Sequence, residues 1–170
     1  MRYSDIFIRK NVDKASIEIF GQVRCSVLGW NFSHIYIGDM GISSHTELVA
    51  LNDILPSKNA LLVMFSTQDP ATGALQYSGP PISARGSDTY ISWSLIGAHN
   101  VWLYTGDLEF VQIVWTNYTK ALAFLEAQVD ETGLMNVPET FSNDWGRDGG
   151  QGHNIAANVL LYRASSYGNL

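Results

Sequence analysis

The pattern that most narrows the folds open to this chain is a repeat: helix, short turn, helix, long loop, read twice in succession. Helical spacing takes over after Asp39, where Ile42, Leu48, Val49 and Leu51 form an apolar face that ends at the turn pair Asn52-Asp53. Pro56 suits the first turn of a second helix, buried through Leu61, Leu62, Met64 and Phe65. It stops near Asp69-Pro70, because the residue before a proline avoids helical backbone. A helix-free stretch from Pro70 to Gly86 follows. Ser87 or Asp88 caps a third helix, whose apolar face is Tyr90, Trp93, Ile96 or Gly97, Val101 and Tyr104. In Thr105-Gly106-Asp107 the glycine ends that helix and the aspartate caps a fourth, carrying Phe110, Val114, Tyr118, Leu122 and Leu125 or Val129. After a loop from Asp130 to Asn154, His153 or Asn154 starts a fifth helix with Ala157, Leu160, Leu161 and Ala164 buried.

Matched punctuation supports the repeat. Asn52-Asp53 corresponds to Gly106-Asp107, and Asp69, Thr72, Gly73 and Leu75 correspond to Asp130, Thr132, Gly133 and Leu134. The period is roughly 55 to 60 residues, longer than most solenoid repeats. A short turn makes the helices of a pair antiparallel, so successive long loops emerge at one end. A lone hairpin cannot bury its apolar face, and the pattern therefore implies a stack or closed ring of hairpins. Residues 1–37 lie outside this scheme: Ile6, Phe7 and Ile8, then Ile17, Ile19 and Phe20, then Val23, Val27 and Leu28 suggest short strands or buried extended pieces.

Composition removes several function classes. A net charge of −6 gives no electrostatic support for binding nucleic-acid phosphates or an anionic membrane surface. Cys25 is the only cysteine, which rules out an intrachain disulfide and a thiolate metal cluster. The charged residues Arg2, Asp5, Arg9, Lys10, Asp13 and Lys14 break up the N-terminus, so it reads neither as a secretory leader nor as a membrane span, and localisation stays unassigned. His45, His99 and His153 have no metal-ligand spacing, so no zinc is expected.

The chemistry concentrates in the run Asn143 to His153, which holds Asp144, Trp145, Arg147, Asp148 and four glycines. Acids can donate protons or accept sugar hydroxyls, an indole face stacks on a sugar ring, and glycines admit a ligand close to backbone. The same run also reads as an ordinary Gly-rich surface loop with solvated charges. The aromatic set Trp93, Trp102, Tyr104, Trp115 and Tyr118 follows helical spacing and reads as packing; Glu47, Glu109, Glu126 and Glu131 read as solvated.

Ordered motifs over about three quarters of the chain carry a family resemblance. They are Gly38-Asp39-Met40-Gly41-Ile42, Tyr77-Ser78-Gly79-Pro80-Pro81, Gly86-Ser87-Asp88-Thr89-Tyr90, Leu103-Tyr104-Thr105-Gly106-Asp107-Leu108, Thr132-Gly133-Leu134, Asp144-Trp145-Gly146-Arg147 and Gly152-His153-Asn154. Together they resemble the six-hairpin (α/α)6-barrel module of α-L-rhamnosidase-type glycosidases, glycoside hydrolase family 78. The resemblance implies an all-α fold, an incomplete (α/α)6 toroid of about two and a half hairpins over 38–170, after an irregular or short-stranded segment at 1–37. It also implies inverting hydrolysis of a terminal α-L-rhamnoside, without metal or organic cofactor, by an acid and a base set apart to admit water. By position, Asp39 matches the acid of the family's Trp-x-Gly-Asp segment, and Asp144 with Trp145 matches its substrate contact. Arg147 and His153 join them as candidate sugar contacts, whereas Asp88 reads first as a helix cap.

Departures from the family pattern bear on activity. Where the family has an Arg, Asp-or-Glu, Arg cluster that includes the general acid, this chain reads Asn31, Phe32, Ser33, His34, Ile35, Tyr36, Ile37. Ile155-Ala156 replaces the family's Thr-Glu, and the general base belongs to a later hairpin, past Leu170. The expectation is a fragment or degenerate copy without activity alone. The reading from another class is a non-catalytic helical-repeat protein that binds a partner chain or self-associates.

Overall fold

The structure is a computed structural model that describes residues 35–144, 146 and 148–167. The extended pieces expected before Ile35, and the candidates Trp145 and Arg147, lie outside the described residues. Five α-helices account for most of the described chain: α1 (Ile37–Leu51), α2 (Leu55–Ser66), α3 (Asp88–Thr105), α4 (Leu108–Glu126) and α5 (Ile155–Tyr167). A single 3-10 turn, Glu139–Phe141, lies in the last loop. Among the described residues the extended pairings are isolated bridges and no sheet forms, so the class is all-α.

The helix boundaries follow from short-range chemistry. Of the two cap candidates at α3, Ser87 is the cap: its Oγ accepts from Tyr90 N at 3.4 Å, and Asp88 becomes the first helical residue. Gly106 takes φ 65°, a left-handed conformation that glycine adopts without penalty, and its N–H returns to Trp102 O. Asp107 then caps α4 by accepting from Phe110 N at 2.9 Å. At α5 the cap is Asn154, whose Oδ1 accepts from Ala157 N at 3.1 Å.

The five helices form two rows. α1, α3 and α5 make one, with α3 in the middle packing extensively on both neighbours, and α2 and α4 lie against it as the other. Within the first row the helices run parallel. Gly38 faces Tyr90, Gly41 faces Trp93, and His45 reaches Asn100 and the Tyr104 hydroxyl, so α1 and α3 advance together. Likewise His99 stacks on Tyr167 near the C-terminal end of α5. α2 and α4 run parallel to each other, since Lys58 pairs with Asp107 and Gln68 Nε2 donates to Asn117 O at 2.8 Å. Two-residue and three-residue turns therefore sit at one end of the array and both long loops at the other.

α3 is buried on nearly every side, and after Asp88 its sequence is apolar or small through its first three turns: Ile91, Ser92, Ser94, Leu95, Ile96, Gly97 and Ala98 are all buried. Its closeness to α1 depends on glycine. A Cβ at Gly41 would lie 2.4 Å from a Trp93 ring carbon, and one at Gly38 would lie 2.6 Å from the Tyr90 ring. This contact turns the face of α1 that carries Gly38 and Gly41 toward α3. Among the side chains described on α1, Ile37, Met40, Ser44 and Glu47 are buried, while Ile42, expected in the core, is 68% exposed. Glu47, expected to be solvated, is interior for the same reason. On α4 the expected stripe holds at Phe110, Val114, Tyr118 and Leu125, with Ala121 inside where Leu122 was expected, and the helix ends at Glu126 instead of Val129.

Candidate functional site

The parallel row brings the N-terminal ends of α1, α3 and α5 to the end from which both long loops project. Each loop begins with the same aspartate turn. Asp69 accepts from Ala71 N at 2.8 Å and Thr72 N at 3.3 Å, before Gly73 at φ 84°. Asp130 accepts from Thr132 N at 2.9 Å and Thr132 Oγ1 at 2.6 Å, before Gly133 at φ 77°. The backbone donors at Ala71 and Thr72 hold the Asp69 carboxyl below its ordinary range, and the Thr132 hydroxyl, with His153, does the same for Asp130. These repeated acids serve turns, which explains the matched punctuation in the sequence.

The second loop is tied down at its base. Val137 and Gly152 exchange both backbone hydrogen bonds, at 2.9 and 2.8 Å. Asn158 on α5 brackets Met135, accepting from its N–H at 2.8 Å and donating to its carbonyl at 3.0 Å. His153 Nε2 lies 2.7 Å from Asp130 Oδ2, joining the two ends of the loop. His153 is thus committed to a clasp, although it was singled out as a ligand contact. Farther along, Asn143 N donates to Gly86 O at 3.0 Å and Ser142 bridges Ser87, which sets the half-buried Asp144 beside the start of α3.

Asp39 occupies the first turn of α1 and faces solvent, where partial desolvation nonetheless raises its carboxyl above the ordinary range. Asp39, Asp144 and His153 therefore belong to one end of the array, with Asp130 bonded directly to His153. An accessible acid that keeps its proton more readily than usual can donate to or accept from hydroxyl groups of a bound sugar.

Two further groups stand out that carry no more than ordinary helix chemistry in the sequence. Asp88, expected to be a cap, is 1% exposed, and burial pushes its carboxyl up to about 7 against the bond from Gln128 Nε2 to Oδ1 at 3.2 Å. The second is an open groove of about 300 Å³ between α3, α4 and α5, lined by His99, Trp102, Trp115 and Tyr167 among others. Trp93 packs on the core as its spacing suggests, but Trp102 and Trp115 face this groove, so the aromatic set is only partly interior.

Among the described residues no cluster of three or more His, Cys, Asp or Glu is arranged to hold a metal ion. No described helix is long and apolar enough to cross a membrane. The chain matches no protein-family model and no curated protein.

Proposed function

We propose that the chain is a partial or degenerate member of the α-L-rhamnosidase-type six-hairpin class, an incomplete (α/α)6 toroid that holds a terminal rhamnoside at its loop end without hydrolysing it alone. The observation that carries this reading is the gathering of two long loops and three helix N-termini at one end, with Asp39 exposed and Asp144 half-buried there. Asp144 with Trp145 and Arg147 supplies an acid, an indole and a guanidinium within four residues, a combination suited to a sugar ring and its hydroxyls. Inverting hydrolysis needs a proton donor and a water-activating carboxylate on opposite sides of the scissile bond. Phe32 and His34 stand in the stretch where relatives of this class carry the donor, and a phenyl ring transfers no proton.

Titration with L-rhamnose, followed by calorimetry and tryptophan fluorescence, tests the reading together with an aryl α-L-rhamnoside turnover assay. The expected result is saturable binding that weakens in Asp144→Asn, with no turnover. Absence of binding at high sugar overturns the sugar site, and turnover that disappears in Asp39→Asn overturns the inactivity.

One observation favours the second reading, a non-catalytic helical-repeat protein that self-associates. Ile155, Val159 and Tyr162 are 81%, 61% and 78% exposed and fall on one stripe of α5 at helical spacing. Sedimentation velocity across a concentration series separates a monomer from a concentration-dependent assembly.

A further inference from the structure

Beneath the loop end, Asp88 and Gln128 join the N-terminus of α3 to the start of the second long loop. Gln128 Nε2 donates to Asp88 Oδ1, and the remaining oxygen of each group, Asp88 Oδ2 and Gln128 Oε1, is buried without a hydrogen-bond partner. Buried polar atoms are rarely left so. A carboxylate and a primary amide can share only one hydrogen bond, because the second approach sets two acceptor oxygens against each other. A neutral carboxylic acid removes that conflict: its O–H donates to the amide oxygen while the amide N–H donates to the acid's other oxygen. The two unpartnered atoms of this pair are the two that the added proton would join.

From this geometry we infer that Asp88 and Gln128 form a proton-dependent latch, a cyclic acid–amide pair that holds the base of the second loop against α3 and is reduced to a single hydrogen bond when the acid ionises. The loop is coupled to the pair through the backbone of the same residue: Gln128 O accepts from Asn136 N at 2.9 Å, and the neighbouring Val129 bridges Met135. Loss of the second hydrogen bond of the pair therefore loosens the first turn of the loop at its attachment.

The surroundings favour the neutral acid. The start of a helix favours a carboxylate, but burial opposes it and here prevails. Among the described residues only burial and Gln128 act on the Asp88 carboxyl, and Asp144, beside the start of α3, adds no further influence. Asp39 on α1 faces solvent, Asp69 is held in its turn, Arg85 donates to Thr67 O, and Asp130 and His153 pair with each other.

The test is made on the full chain. Carbon-13 NMR of the aspartate carboxyls should show one that titrates near neutrality in the wild type and is missing in Asp88→Asn, which keeps the shape of the pair with an amide. Amide exchange at Asn136, corrected for intrinsic rates, should lose protection by about tenfold or more as pH rises from 6 to 8.5, the factor expected for one broken buried hydrogen bond. In Asp88→Asn that loss should disappear. An Asp88 carboxyl that titrates in the ordinary aspartate range overturns the inference, and this measurement needs only the wild type if the variant does not fold. An unchanged pH dependence at Asn136 in Asp88→Asn overturns it equally.

Discussion

Glu47→Gln should convert a pH-dependent stability into a flat one. Glu47 lies on the buried face of α1 at 9% exposure, with the Ser57 hydroxyl of α2 donating to Oε2. Burial raises its carboxyl from the ordinary 4.5 to about 7, and the negative charge of Asp53 pushes the same way, against the stabilising hydroxyl. Between those values the folded chain retains a proton that the unfolded chain has released, so stability falls as pH rises. The contribution is present in full below pH 4.5, is lost through pH 7, and levels off above about 8. At 1.36 kcal/mol per unit, the gap amounts to roughly 3 kcal/mol, an order-of-magnitude figure. Glutamine mimics the protonated acid and can still accept from Ser57. Urea unfolding monitored by tryptophan fluorescence should place the variant within about 1 kcal/mol of the wild type at pH 4.5 and about 3 kcal/mol above it at pH 8.5. Asp88 biases stability in the same direction but is common to both proteins and cancels in the comparison. A stability difference that stays constant across this range refutes the assignment of a neutral, buried Glu47.

Further outcomes follow from the packing and the loop ties. Gly41→Ala forces a methyl into the Trp93 ring and should cost about 1–3 kcal/mol, whereas Gly97→Ala meets the flexible side-chain ends of Met40 and Leu61 and should cost less; chemical denaturation ranks them. Asn158→Ala leaves both backbone groups of Met135 without their partner and should cost about 1–3 kcal/mol, with faster amide exchange at Met135. His153→Ala should change the melting temperature little, as thermal unfolding can check, because the contact with Asp130 that it removes is partly open to solvent. Tyr162→Glu interrupts the exposed stripe of α5 and should abolish any concentration-dependent sedimentation of the wild type.

The succession of elements was legible because each boundary is written in local chemistry: Gly106 before Asp107, Pro56 in a first turn, Ser87 ahead of α3. The face each helix buries was legible where one stripe meets one neighbour, as on α4. At Ile42 of α1 it was not, because Gly38 and Gly41 seat against aromatic rings of α3, and hydrophobic periodicity contains no term for that contact. The same limit explains Glu47 and Asp88. A carboxylate in the sequence is costly to bury alone, so solvent exposure or capping is the natural expectation until a distant Ser57 or Gln128 is seen beside it. His153 was picked out by its loop, yet its partner Asp130 lies at the far end of that loop and only the fold brings them together.

The two-row arrangement also has a consequence for how the chain assembles. Among the described residues every substantial helix contact joins elements one or two places apart along the chain: α1 with α2 and α3, α2 with α3 and α4, α3 with α4 and α5, α4 with α5. Order can then spread from the middle outward, each helix docking on neighbours already in place, with the closure cost growing only slowly with the length of chain between them. An architecture of this connectivity can also be lengthened or shortened by a hairpin without unpicking contacts elsewhere, since no helix depends on a distant one.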